Sequence, residues 1–153
     1  MAPSKKKGRA GGNSKLRTDY QLEAQIGFVL RQASQRHTSI FARSMIDQIT
    51  PTQWAALVKI KALGTSSQNR LGRETAMDVA TIKGVVDRLL ARRLIRTSQD
   101  PHDSRRVMIR LTEAGSKAVE EGIPIAQKIT EQTVHLLSAS ERAALIKLLR
   151  KIS

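Results

Sequence analysis

Cysteine is absent from the 153 residues, which excludes disulfides, thiolate zinc sites, cysteine nucleophiles and thiol redox switches. Aromatic residues are scarce: one Trp, one Tyr and two Phe. Any core must therefore be aliphatic, and the 40% hydrophobic content is enough for a modest one in a single domain's length of chain. Acidic residues are also short, 13 against 27 Lys and Arg, so the formal charge is +14. Such an excess destabilises a compact chain by self-repulsion unless a polyanion offsets it. Nucleic acid is the first partner to consider, against the plainer reading of a basic protein without one. The three histidines, His37, His102 and His135, lie far apart in the chain and form no metal-ligand spacing. H-E-x-x-H, G-x-G-x-x-G and P-loop motifs are missing. These gaps lead us to expect no catalytic group, no cofactor and no metal.

Part of the charge is local. Lys5, Lys6, Lys7, Arg9, Lys15 and Arg17 precede the first acid, Asp19, in a stretch with almost nothing to bury. Residues 1–18 are expected to be a disordered basic arm that samples phosphates without reading sequence. Taking those six charges from +14 leaves +8, so the folded part is basic too. The arm has no apolar core suited to a signal peptide, and no run of 18 apolar residues follows. The expectation is a cytoplasmic, nucleoid-associated protein that avoids membranes.

Residues 19–46 read as one long helix, with Leu22, Ile26, Val29, Leu30, Ala33, His37, Ile40, Phe41 and Met45 at three- and four-residue steps. At that length it would reach about 42 Å, more than a small domain can cover. Thr50-Pro51-Thr52-Gln53 predicts a capped second helix ending at Gly64. Two short helices follow, Ser67 to Thr75 and Asp78 to about Arg92, separated by a turn of helix-turn-helix length. Ile82, Val85, Val86 and Leu89 define the inner side of the second. Ala80, Gly84 and Asp87 lie along its outer side, with Thr81 and Lys83 on the flanks. Small residues in the middle of such a face let a backbone approach base edges closely; an ordinary amphipathic surface helix shows the same pattern. Leu94–Ser98 and Arg106–Leu111 alternate as strands around a turn-rich loop, residues 99–105, completing a charged hairpin. Thr112 opens a helix to about Leu137 with a kink expected at Pro124, and Ser138–Glu141 is a capping box for a last helix.

The layout is mainly α with a small β-hairpin wing. The expected divisions are the arm 1–18, an N-terminal dimerisation helix 19–49, a winged helix-turn-helix DNA-binding lobe 50–112, and C-terminal dimerisation helices 113–153. Apolar faces at both ends exceed what the middle can cover, and a two-fold homodimer built from both ends would bury them.

The chain resembles the MarR family of transcription regulators from about residue 20 to its end. The most specific elements are Asp100-Pro101-His102-Asp103-Ser104-Arg105-Arg106 and Leu111-Thr112-Glu113-Ala114-Gly115, which match the family's wing motif. The stretch Met77–Leu89 is similar to its recognition helix, with two departures: Val79-Ala80 replaces a common Lys-Ser, and Gly84 replaces a common Arg. Base contacts therefore do not transfer directly, and Thr81 and Lys83 become the better candidates. The run from Thr75 to Gly84 also resembles a subgroup controlling nicotinate degradation.

The resemblance implies operator double-stranded DNA as partner, read by Ala80, Thr81, Lys83 and Gly84. Arg105 would enter the minor groove from the wing, where a guanidinium suits a narrow negative groove, with Asp103 bracing the loop and Arg106 on phosphate. Ser66, Ser67 and Gln68 are candidates for phosphate binding at a helix start, or one serine is only its N-cap. The family also implies an effector pocket, for which Arg36, His37, Phe41, Arg43 and Trp54 are the candidates. A small aromatic acid would want those cations or donors beside an apolar wall, whereas His37 and Trp54 also read as plain packing residues. The leading expectation is a ligand-responsive repressor. The competing ones are an architectural DNA-binding protein without effector, and an enzyme, for which no convergent catalytic group is found.

Overall fold

The computed structural model describes residues 20–100 and 103–153, without the side chains of Ser104 and Arg105. The basic arm and His102 lie outside the described residues. The chain divides into two units between Ala33 and Ser34.

In the first unit a 3-10 turn, Leu22–Ala24, precedes helix α1, Ile26–Ser44, which runs on into the second. The long helix expected over 19–46 is thus broken at both ends. Gln25 is extended, and a second 3-10 turn, Ile46–Gln48, follows α1. Its residues Asp47 and Gln48 both have positive φ, so the chain spends two left-handed residues turning away from the helix axis. With 19 residues α1 is about 28 Å long, not 42 Å.

The second unit is built around α2, Pro51–Leu63, whose Ala56, Leu57 and Ile60 are fully buried. Thr50 caps α2 as the sequence implies. Its hydroxyl accepts from the Gln53 N–H at 3.3 Å, while the Gln53 side chain accepts from the Thr50 N–H at 3.1 Å. Gly64 ends the helix at φ 69°, a conformation that favours glycine. Strand β1, Ser66–Ser67, leads into α3, Gln68–Glu74, and α4, Val79–Ala91. Strands β2, Ile95–Asp100, and β3, Asp103–Leu111, complete an antiparallel sheet in the order β1-β3-β2. The strands run further toward the wing tip than alternation suggested, because backbone pairing continues to Asp100 opposite Asp103 past a register irregularity. The two-residue β1, which alternation cannot reveal, pairs Ser66 with Ile109 and Ser67 with Met108.

Helix α5, Glu113–Thr133, contains Pro124, and α6, Ala139–Leu149, is opened by the expected box of Ser138 and Glu141. One contact explains the Leu-Thr-x-x-Gly pattern at the start of α5. The Thr112 hydroxyl accepts from the Gly115 N–H at 3.0 Å and donates to the Arg93 carbonyl at 2.7 Å. Thr112 N–H donates to the Leu94 carbonyl at 3.1 Å. Gly115 then passes so close to that carbonyl that a Cβ would overlap it. Thr and Gly together dock α5 on the corner where α4 meets β2. Among the described residues no helix is long and apolar enough to cross a membrane.

Candidate nucleic-acid interface

Leu71 of α3 and Ile82, Val85, Val86 and Leu89 of α4 are all buried in one hydrophobic core. The turn between the two helices is tight: Met77 N–H donates to the Gly72 carbonyl at 2.9 Å, and Ala76 takes φ 52°. A Cβ on Gly72 would meet the Met77 carbonyl at 3.2 Å and the Ile82 side chain at 3.3 Å, so glycine sets the distance between the helices. Asp78 caps α4 by accepting from the Thr81 N–H at 2.7 Å. That bond, to a carboxylate at a helix N-terminus, holds the Asp78 pKa below the ordinary aspartate value.

Burying the inner side of α4 turns the other side outward. Ala80, Thr81 and Lys83 are exposed, and Gly84 is half-buried. Two basic side chains of this face are tied to the helix itself. Lys83 Nζ lies 2.8 Å from an Asp87 carboxylate oxygen, and Arg88 Nε donates to the Gly84 carbonyl at 3.1 Å. Both are surface contacts worth little in water, so a phosphate competes readily for either cation.

A cleft of about 450 Å³ separates the start of α3 from the wing, lined by Ser67, Gln68, Asn69, Arg73, Arg106 and Val107. It gathers three of the residues expected to touch phosphate, Ser67, Gln68 and Arg106, and adds Asn69 and Arg73. These two escaped the sequence analysis because nothing in α3's spacing tells that its outer face meets a strand 35 residues on. Ser67 also caps α3, its hydroxyl accepting from the Arg70 N–H at 3.4 Å. Ser66 is a correction. It is fully buried in β1, with its hydroxyl donated to the Ser67 carbonyl, and cannot reach DNA. Asp103 and Arg106 are exposed on β3. Arg105 has its backbone in the same strand, while its side chain lies outside the described residues.

The five effector candidates are less well gathered. His37 is half-buried, packs edge-on to Phe41 at 5.9 Å and lies 3.0 Å from the Thr133 hydroxyl. Thr133 gives its own proton to the Ile129 carbonyl at 2.8 Å, which leaves its oxygen able to accept from His37 Nδ1. Arg36 donates to His135 Nδ1 at 3.2 Å. Phe41, at 4% exposure, is closed into the core, and Arg43 is exposed at the end of α1. Trp54 lies against Gly122 of α5, so closely that a Cβ there would strike the indole. A cavity of about 440 Å³ near α1 is lined by Thr38, Ala42, Gln48, Ile49, Thr50 and Pro51, none of the five.

Arg92, at the C-cap of α4, is a further residue that spacing did not mark. It donates to the Asp47 carbonyl at 2.7 Å and reaches Gln53 at 3.5 Å. It thereby ties the far end of α4 to the left-handed turn after α1.

A three-stranded sheet beside a helix-turn-helix with an outward second helix defines a winged helix-turn-helix protein. The chain belongs to the MarR family, DNA-binding transcription factors rather than enzymes. Its family model matches residues 49–107. The chain is 44% identical over 136 residues to the HTH-type transcriptional repressor NicR of Pseudomonas putida, covering 88% of this chain and 86% of that protein. A probable transcriptional regulator from Pseudomonas aeruginosa has a crystal structure with a TM-score of 0.85 at 48% identity, covering 87% of this chain and all of that one. Bordetella bronchiseptica BpsR, whose DNA binding is described as regulated by 6-hydroxynicotinic acid, gives a TM-score of 0.83 at 40% identity, covering 87% and 96%.

Proposed function

We propose that the protein is a homodimeric repressor acting at the nucleoid in the cytoplasm. It holds a palindromic operator until a small aromatic carboxylate of the hydroxynicotinate class releases it. The observation that carries this reading is the outward face of α4 beside the cleft joining α3 to the wing. In it, α4 enters the major groove with Ala80, Thr81, Lys83 and Gly84. Ser67, Gln68, Asn69, Arg73 and Arg106 hold phosphates on either side, and Arg105 enters the minor groove from the wing. The effector class is supported by the likeness to NicR and to BpsR with its 6-hydroxynicotinic acid. His37 suits such a ligand as a polar ring beside Phe41, with Arg36 as a neighbouring cation for the carboxylate. The effector need only bind better when the two lobes of the dimer are spaced wrongly for DNA.

The exposed apolar residues of both units support the dimer and the division into dimerisation segments, 19–49 and 113–153, around a DNA-binding lobe, 50–112. Tyr20, Leu22 and Ile26 lie in the first unit, and Leu136, Ile146, Leu148 and Ile152 in the second, each at least 47% exposed.

Operator fluorescence anisotropy titrated with 6-hydroxynicotinate tests the switch, with benzoate as control. The hydroxynicotinate should release DNA, and calorimetry should show its affinity lowered by operator in the same proportion. Equal ligand affinity with and without operator removes the switch. A footprint that coats the whole probe instead of a short palindrome favours an architectural protein.

A further inference from the structure

Val79 contributes little to the core. It is the first residue of α4 and is 74% exposed, the most exposed large apolar side chain among the described residues from 34 to 133. The other branched aliphatics of α4 that face the core, Ile82, Val85, Val86 and Leu89, are all under 5% exposed. Valine is a poor helix former, and an isolated apolar side chain in water gains nothing for the fold. Ala80 and Thr81 beside it are exposed too. The charged groups nearest this end have partners within the helix in the free protein: Asp78 accepts from the Thr81 N–H, and Lys83 pairs with Asp87. The leading turn of α4 presents the side chains of Val79 and Ala80 and the Thr81 methyl, with the Thr81 hydroxyl and the Asp78 carboxylate beside them.

In the major groove one base edge is apolar, the thymine with its 5-methyl group. The N-terminal residues of a recognition helix are the ones that meet base edges. We infer that Val79, assisted by Ala80, reads thymine methyl groups, so that each half-site is specified partly by apolar contact. The inference rests on α4 being the reading helix, as proposed above, and adds which base feature it reads.

The test starts with selection of duplexes by the full-length protein from a random pool. Each thymine of the enriched half-site is then replaced singly by deoxyuridine, which keeps base pairing and removes only the methyl. At one or two positions the loss should be roughly fourfold per half-site, the worth of one buried methyl. In Val79→Ala that penalty should vanish at the position facing Val79 and persist elsewhere. Because Val79 is exposed, the variant's melting curve should match the parent's, which separates reading from folding. Failure to enrich any sequence overturns the reading of α4 and this inference with it. An enriched site indifferent to deoxyuridine overturns the inference alone. So does a deoxyuridine penalty that is unchanged in both Val79→Ala and Ala80→Gly.

Discussion

Gly84 stands under the end of the Arg88 side chain. A Cβ there would meet only the Arg88 guanidinium, Nη2 at 3.0 Å and Cζ at 3.9 Å, the end of a flexible arm. Alanine should therefore be accommodated, and it should stabilise the helix by about 0.5–1 kcal/mol through reduced backbone entropy. Gly84→Ala is expected to raise the melting temperature while weakening operator binding; a variant that melts higher yet binds equally well would show that backbone approach at Gly84 is not needed. Gly115 is the opposite case, because its obstacle is the backbone carbonyl of Leu94, which cannot swing aside. Gly115→Ala should cost about 3 kcal/mol or more, visible as a lowered denaturant midpoint or as loss of soluble protein. Arg105→Ala should weaken operator binding with melting unchanged, and lysine should restore it only in part if a guanidinium shape is required.

Among the elements, those announced by local chemistry were legible in the sequence. The boxes at Thr50 and Ser138, the caps at Asp78 and Thr112, the Gly64 stop and the inner face of α4 all act over four residues or fewer, within reach of a spacing argument. What escaped depends on partners far along the chain. Strand β1 exists only because β3 lies beside it, which also buries Ser66. The long N-terminal helix expected over 19–46 failed at Gln25 and stopped two residues early at Ser44, before the extended Met45, where ordinary residues without Pro or Gly leave the helix. The cleft beside α3 was half seen, through Ser67, Gln68 and Arg106, while Asn69, Arg73 and Arg92 depend on tertiary placement. Arg92→Ala tests one such placement. It removes a donor from the carbonyl of a left-handed residue, and should cost about 1–2 kcal/mol in urea unfolding. Amide exchange should rise around residues 46–50 more than in β3, whereas a uniform rise would mean that Arg92 is not a local clamp.

At the scale of the whole molecule, charge and burial set the behaviour. The Glu120 carboxyl is held below its ordinary pKa by Lys61, with Ser116 adding a hydrogen bond, and Glu141 by its bonds to Ser138. Asp78 is depressed likewise. In each case the unfolded chain takes up the proton first. This stability is full at neutral pH and is lost as pH falls from about 5 through the lowered values. Melting temperature should accordingly decline through that acid window, and less steeply when Glu120 and Glu141 are both glutamine. Deleting residues 138–153 should abolish the proposed dimer in sedimentation experiments, because α6 takes Ile146 and Leu148 with it; a soluble truncated dimer would place the interface elsewhere.

The packing of Trp54 against Gly122 has an optical consequence. With one tryptophan and one tyrosine in the chain, near-ultraviolet emission comes almost wholly from a single indole. That indole is half-buried where α2 meets α5, so its spectrum reports the separation of those two helices without any attached dye. A ligand or operator that moves α5 relative to α2 should shift the emission maximum, and one that leaves the pair docked should not.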